Sequence, residues 1–206
     1  MEQPLDRMLA FCRAEYAYYD ALPSAVPNRI EPLDVLATVA MNSFVNSATK
    51  VRQVHLGMSE RCDPLLSHIP EDADLMDLEH WRDSLYDLLH AAVQVRGVLI
   101  PVATKVLHRK RRKLIPMLDS VILRHYLGTP ERKPLLAQTE NKAKAADVAM
   151  AALDCLRSDL AAASSELQLL CHSLKDEGFS LSPVRVLEVL VWTETEPGRY
   201  YRGTLA

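Results

Sequence analysis

Glycine is scarce in this sequence, with six residues in a chain of 206. No segment spaces its glycines as a phosphate-binding loop does, and alternating apolar and polar residues, the pattern of a half-buried strand, are also rare. Apolar residues recur instead at intervals of three and four, which is typical of helices with one buried face. The sequence therefore predicts an all-α protein without a glycine-rich phosphate loop.

Paired cysteines are absent as well. The four cysteines form no C-x-x-C motif and are widely separated: Cys12, Cys62, Cys155 and Cys171. This distribution is typical of reduced thiols in a cytoplasm, and it favours neither a disulfide framework nor a zinc site. The spacing of His55, Cys62, Asp63 and His68 also matches no zinc signature, so we expect no metal and no cofactor.

Long apolar runs are missing, so we expect neither a signal peptide nor a membrane span. The chain is 49% hydrophobic and 25% charged, which is ordinary for a globular protein. We predict a single all-α domain over residues 1–206, a compact multi-helix bundle; two small helical lobes with a cleft near residues 96–127 are the alternative. The net charge is −3, so binding to nucleic acid would require a local basic patch.

Such a patch exists where acidic residues are lacking. No Asp or Glu occurs between Asp87 and Asp119, while this interval carries seven positive charges: Arg96, Lys105, Arg109, Lys110, Arg111, Arg112 and Lys113. Three explanations stay open for this basic run. It neutralises phosphates, it is a solvated face, or it serves folding and solubility alone.

The segment from residue 60 to residue 87 is the acidic counterpart of the basic run, with nine carboxylates. It is either the solvated face of a helix or a cover that folds over part of the basic run. The second arrangement would screen the positive charge and weaken an attraction to nucleic acid.

Helical periodicity, capping residues and prolines divide the chain into elements. Gly97 and Pro101 interrupt two apolar segments and predict a helical hairpin, and the residues before Pro116 are expected to be extended. The predicted helices span 4–19, 32–46, 72 or 74 to 89, 102–107, 119–127, 142–175 and 183–192.

Asp119 lies at the predicted start of a helix. The structural interpretation is an N-cap whose carboxylate accepts backbone N–H groups and contributes about 1 kcal/mol to stability. The functional interpretation is a catalytic acid beside the basic run.

Two resemblances bear on this choice. The segment Val95-Arg96-Gly97-Val98-Leu99-Ile100-Pro101-Val102-Ala103, followed by Asp119-Ser120-Val121, resembles the hairpin and catalytic-Asp segments of the helix-hairpin-helix DNA glycosylase superfamily. The match covers about 35 residues. It implies that fold, DNA as the partner, and Asp119 as the catalytic carboxylate. Leu99 stands where that superfamily has a second glycine, and Ile100 or Pro101 stands near the position of its Schiff-base lysine, so a monofunctional enzyme is implied.

The closer resemblance is to a bacterial family of unknown function whose core reads T-K-L-L-x-x-K-R-P-x-L-I-P-x-x-D-S. The matching residues here begin with Thr104-Lys105 and end with Ile115-Pro116 and Asp119-Ser120. The segment from Val184 to Trp192 is similar to the closing helix of that family. This resemblance implies a bacterial source and leaves the activity open.

Two functions follow as hypotheses. The first is a monofunctional base-excision enzyme with Asp119 as its catalytic residue. Its nucleic-acid contacts would be Gly97, Lys105, His108, Arg109, Lys110, Arg111, Arg112 and Lys113. The alternative is a non-catalytic module that retains the fold and binds nucleic acid or protein, with Asp119 as a cap.

Overall fold

A computed structural model describes residues 3–24, 26–43 and 45–195, and no strand occurs in these ranges. The prediction of an all-α protein is confirmed. The helices are α1 (Pro4–Glu15), α2 (Pro32–Ala40), α3 (Ala48–Leu66), α4 (Leu78–Gln94), α5 (Ile100–His108), α6 (Ser120–Leu127), α7 (Lys133–Leu136), α8 (Ala145–Ala162), α9 (Ser164–Asp176) and α10 (Pro183–Thr195).

Capping chemistry in the sequence explains where several helices begin. Pro32 occupies the first turn of α2, and the backbone N–H of Glu31 donates to Asp34 Oδ2 at 2.8 Å. Ser182 caps α10, since its hydroxyl oxygen accepts the N–H of Arg185 at 3.2 Å. Asp119 caps α6 as predicted, accepting the N–H groups of Val121 and Ile122.

Helix α5 lies in the core. It packs against α2, α4 and α8, and every residue from Val102 to His108 is buried. A short helix that is buried on all sides can keep polar groups in the core only if their partners are buried too. Thr104, Lys105 and His108 therefore indicate that buried polar groups lie beside α5.

The predicted helical hairpin is present, because α4 ends at Gln94 and α5 begins at Ile100.

Several helix predictions differ from the structure: α1 ends at Glu15 and not at residue 19, and α2 ends at Ala40 and not at residue 46. The sequence pattern missed α3, whose buried residues recur at every fourth position while most of its surface is polar: Val54, Met58, Cys62 and Leu66. The predicted continuous helix over 142–175 is broken at Ala163, which separates α8 from α9. Neither proline nor glycine marks that break. It lets α9 turn away to pack against α1 and α10.

The packing of α10 against other helices forms part of the wall of a cavity. This helix contacts α1, α6, α8 and α9, and it carries Arg185 and Glu188 on its buried face. None of the described helices has the length and apolar character needed to cross a membrane. The N-cap of α6, the middle of α5 and one face of α10 meet at a single cavity, together with α1 and the turn after α2.

Candidate ligand pocket at Asp119

The basic run is largely buried. Arg109, Lys110 and Arg111 have exposed fractions of 3%, 2% and 0%, and Lys105 and His108 are buried as well. Arg112 is half-buried, while Gly97 and Lys113 are exposed. Of the eight residues predicted to bind nucleic acid, the structure thus leaves Gly97, Lys113 and part of Arg112 facing solvent.

The buried cations bind the proline loop, which we define as residues 19–24 and 26–28. Pro23 and Pro27 have no N–H group, so this loop cannot satisfy its carbonyls by forming a helix. Arg109 donates to the carbonyls of Tyr19 and Pro23 at 3.1 and 2.6 Å, and Lys110 donates to that of Val26 at 3.0 Å. The basic run therefore donates to carbonyls of this loop, two of which, those of Tyr19 and Val26, also accept a backbone N–H.

Arg111 also donates to backbone carbonyls, including some outside the proline loop. Its guanidinium donates to the carbonyls of Pro27, Leu66, Ile69 and Lys110 and to the amide oxygen of Asn28, at distances of 2.5–2.9 Å. Burial lowers the pKa of Arg111, with Glu71 opposing the shift. These contacts support the third explanation of the basic run, a role in folding, for this residue.

Asp34 forms ion pairs with two of the buried cations, Arg109 and Lys110. Its Oδ1 lies 2.9 Å from Arg109 Nε, and its Oδ2 lies 2.5 Å from Lys110 Nζ. Asp34 comes from α2, whereas the 60–87 segment contributes the backbone carbonyls of Leu66 and Ile69. The sequence left open whether the acidic segment folds over part of the basic run. In the structure this segment does contact Arg111 and Lys113, but through backbone groups of Leu66, Ile69 and Leu75, and the carboxylate paired with the buried cations comes from α2.

His108 belongs to the same interior. Its Nδ1 lies 2.6 Å from the carbonyl oxygen of Ile115, and its ring stacks on Tyr19. Burial is the main reason why the pKa of His108 falls to about 4, with Arg185 acting in the same direction. The imidazole is neutral at pH 7 and donates from Nδ1. This arrangement holds the turn after α5 in place.

Asp119 lies on the wall of a cavity of about 280 Å³. Its Oδ1 accepts the amides of Val121 and Ile122 at 2.8 and 3.0 Å, and its Oδ2 accepts the indole N–H of Trp192 at 3.2 Å. The carboxylate is half-buried. It caps α6, as the structural interpretation predicted, and it also lines the cavity, while a catalytic role for it stays a prediction.

Lys105 reaches the same cavity from α5, and its ammonium group donates to the carbonyl of Met41 at 2.5 Å. Met41 belongs to a turn that also includes Asn42, which adopts a left-handed backbone conformation with φ of 55°. Asparagine tolerates this conformation better than most residues. The turn places Asn42 and Ser43 on the cavity wall.

A buried triad of charges lies at this pocket: Arg185 and Glu188 line it, and Asp20 pairs with Arg185 from outside the lining. Arg185 lies between Asp20, with N–O distances of 3.1–3.4 Å, and Glu188, at 2.5 Å. Glu188 also accepts the backbone N–H of Met117 at 2.8 Å. Burial is the main reason why the pKa of Glu188 rises to about 7, whereas Arg185 acts to lower it. The Arg185 guanidinium also lies 5.0 Å from the centre of the Phe11 ring.

Sequence reasoning found Asp119 and Lys105 but missed the triad and the role of Trp192. A signal was present in α10, where Arg185 and Glu188 are charged residues three positions apart in an otherwise apolar segment. Charges on a buried helix face must be paired, so this pattern indicates a polar partner. Asp20 carries no comparable signal. No group of three or more metal-binding side chains is present among the described residues.

Comparison with known proteins gives one assignment. No curated protein matches the chain, and no solved structure matches it either. The sequence model of a family of unknown function, DUF6308, matches residues 10–195, a range that includes every residue named above for the pocket, and the chain therefore belongs to this family.

Proposed function

We propose that the protein is an enzyme of the monofunctional glycosylase type, which binds one nucleobase in the pocket and uses Asp119 as its catalytic carboxylate. The observation that carries the proposal is the position of Asp119. It is held by three hydrogen bonds on the wall of a concave cavity that also contains Lys105 and two aromatic side chains. A pocket of this kind with a few convergent polar groups is the usual form of an active site.

The size of the cavity supports a single ring system. Ligand pockets usually measure roughly 300–1,000 Å³, and this one is near the lower end at about 280 Å³. Phe11 and Trp192 provide apolar surface against which a planar group can pack. One base with part of its sugar fits this space, and the rest of a nucleic acid would remain outside.

The proposed chemistry follows from the fixed position of the carboxylate. As the bond between C1′ and the base nitrogen breaks, its electron pair leaves with the base and positive charge develops on the sugar. The Asp119 carboxylate stabilises this charge or takes a proton from the attacking water, whose oxygen then bonds to C1′. The departing base takes up one proton from solvent, which balances the proton that the attacking water loses. Trp192 and the two amides hold the carboxylate in place during the reaction.

The proposed nucleic-acid partner is DNA, contacted by the exposed part of the predicted set. Gly97 has a φ of 78° and an open surface, since a Cβ added there would meet nothing within 4 Å. Lys113 is exposed, whereas Arg112 is half-buried and its guanidinium donates to the carbonyls of Asp20 and Leu22 at 2.9 and 3.1 Å. Gly97 precedes α5 and Lys113 follows it, so the two would contact separate phosphates while the base enters the pocket.

The test compares two aspartates with the same capping geometry. Asp74 caps a 3₁₀ turn by accepting the N–H of Met76 at 2.9 Å, outside the Asp119 pocket. Base release is measured from single- and double-stranded DNA that carries damaged or mismatched bases. We expect Asp119→Asn to lower the rate at saturating DNA by about 100-fold or more. Asp74 lies near Lys113, so Asp74→Asn can change the affinity for DNA but should leave the rate at saturating DNA unchanged. The proposal fails if wild-type protein releases no base, or if the two variants behave alike.

A second candidate is a binding module without catalysis. The observation in its favour is that capping and the indole contact already account for both oxygens of Asp119. In this case DNA or protein would bind the surface near Lys113. If DNA binds there, Lys113→Gln lowers the slope of log affinity against log salt by about one, whereas the exposed control Lys175→Gln does not. Affinity that is insensitive to salt would indicate a protein partner.

A further inference from the structure

The pocket carries more negative than positive charge. Its lining includes the carboxylates of Glu15, Asp119 and Glu188 and the cations of Lys105 and Arg185. A fourth carboxylate, Asp20, lies behind Arg185 and is paired with it. Four carboxylates therefore surround two cations at this site.

The excess of negative charge costs most free energy in the triad of Asp20, Arg185 and Glu188, because these side chains are buried. The exposed fractions of the Arg185, Asp20 and Glu188 side chains are 3%, 4% and 6%. One guanidinium neutralises one carboxylate, so the triad retains one negative charge when both acids are ionised. Removing an unbalanced charge from water is expensive, and a proton or a positively charged neighbour reduces that cost.

The groups around Glu188 determine how the unbalanced negative charge of the triad can be reduced. Arg185 and the N–H of Met117 favour the ionised carboxylate, whereas burial, Asp119 and Asp20 favour the protonated form. The Lys105 ammonium on α5 faces the same cavity and is bonded to the Met41 carbonyl, and Glu15 faces it from α1. Glu188 borders the cavity, with Oε1 bonded to Arg185 and Oε2 to the N–H of Met117, so a charged ligand in the cavity acts on its carboxyl group through space.

We propose that the pocket selects a ring that is cationic or rich in N–H donors, and that this group replaces a proton on Glu188 when it binds. The location of the site is that of the proposed function, on which this inference rests for its ligand class. Carboxylates attract such a group, whereas a phosphate or carboxylate ligand would meet Asp119 and Glu188 with like charge. A ligand phosphate therefore stays outside the pocket.

The test uses three probes of similar size and different charge: benzamidine, which is a cation at neutral pH, benzamide, which is neutral, and benzoate, which is an anion. Their affinities for the wild-type protein are measured by calorimetry. We expect benzamidine to bind roughly tenfold or more tightly than benzamide, and benzoate to bind most weakly. Equal affinities, tighter binding of benzoate, or no binding of any probe would overturn the proposal.

The proton exchange has its own signature. Benzamidine competes with a proton, so its affinity rises between about pH 6 and about pH 8, by at most about tenfold for each pH unit. Calorimetry in buffers of different ionisation enthalpy measures how many protons are released on binding. Benzamide affinity stays flat over the same range. A flat profile for benzamidine, or the absence of proton release, would contradict the exchange.

Two variants test whether Glu188 causes the preference for benzamidine and its pH dependence. Glu188→Gln removes one negative charge and the titrating group, so it should lower the preference for benzamidine and abolish its pH dependence. Glu166→Gln makes the same chemical change on the exposed surface of α9 and should leave both unchanged. If Glu188→Gln does not fold, Asp20→Asn removes one charge from behind the pocket and should lower the benzamidine preference.

The two proposals fail in different ways. If the wild-type protein releases no base but ranks the three probes as expected, the glycosylase proposal fails and the ligand class stands. If base is released and benzoate binds as well as benzamidine, the ligand class fails and the glycosylase proposal stands.

Discussion

The indole Nε1 of Trp192 lies 3.2 Å from Oδ2 of Asp119, although the two residues are 73 positions apart in the chain. This hydrogen bond joins α10 to the N-cap of α6 at the pocket wall. The other carboxylate oxygen is held by backbone amides of α6. The carboxylate is therefore oriented by one local and one distant element.

Replacing Trp192 with Phe keeps an aromatic ring but removes the N–H donor. A hydrogen bond to a charged group contributes about 1.5–3 kcal/mol, so we expect a roughly tenfold fall in the rate of base release. The binding of benzamide should change less, because the apolar wall remains. Trp81→Phe is the control, since Trp81 is partly buried against the core and lies outside the lining of the pocket. Equal effects of both variants would show that Trp192 acts through packing alone.

Replacing Asp34 with Asn leaves Arg109 and Lys110 buried without their carboxylate. Breaking a buried ion pair in this way costs about 3–5 kcal/mol of unfolding free energy. The control is Asp154→Asn, which removes an ion pair to Arg82 at the surface. Its expected cost is about 0–1 kcal/mol. Urea denaturation measures both, and similar losses would contradict the buried role of Asp34.

Replacing Arg111 with Lys retains the charge but not the planar set of donors. Several carbonyls of the proline loop and α3 would lose their partners, so we expect a loss of about 3 kcal/mol in unfolding free energy. Arg124→Lys is the control, because Arg124 is exposed and donates to Ser120 of its own helix. If Arg111 instead served mainly to bind DNA, the variant would weaken binding and leave the urea midpoint unchanged.

His108 predicts a pH dependence of stability. Its pKa is lowered from 6.5 to about 4 in the folded protein, mainly by burial. Between these values the unfolded chain binds more protons, so the stability present above about pH 6.5 is lost as the pH falls toward 4. His108→Gln should remove this contribution while retaining a donor for the Ile115 carbonyl. His172→Gln, at an exposed position on α9, serves as the control.

Glu188 acts in the opposite direction over nearly the same range. Its pKa is raised from 4.5 to about 7, so the folded protein binds more protons and stability declines as the pH rises through this window. The two contributions offset each other in the wild-type protein. Glu188→Gln should therefore make stability rise more steeply with pH, as measured by urea midpoints. An unchanged slope would show that Glu188 titrates alike in both states.

Local signals predicted the elements that position the site. The Gly97 and Pro101 pair predicted the hairpin, Asp119 predicted the start of α6, and Ser182-Pro183 predicted that of α10. Each depends on groups within a few residues, where backbone sterics and capping bonds decide the structure. The break at Ala163 was missed because packing against α1 and α10 decides it, and no local residue marks it.

The charge pattern alone did not reveal whether the side chains of the basic run would be buried or exposed. The sequence determined that seven cations occur without an intervening carboxylate, and that an aspartate follows them at a helix start. Tertiary structure decided that Arg109, Lys110 and Arg111 turn inward, because two prolines leave distant carbonyls without local donors and Asp34 supplies the counter-charge. It also decided that Asp119 meets Trp192 and the triad of Asp20, Arg185 and Glu188, because these partners come together only when α10 packs across α6 and α1.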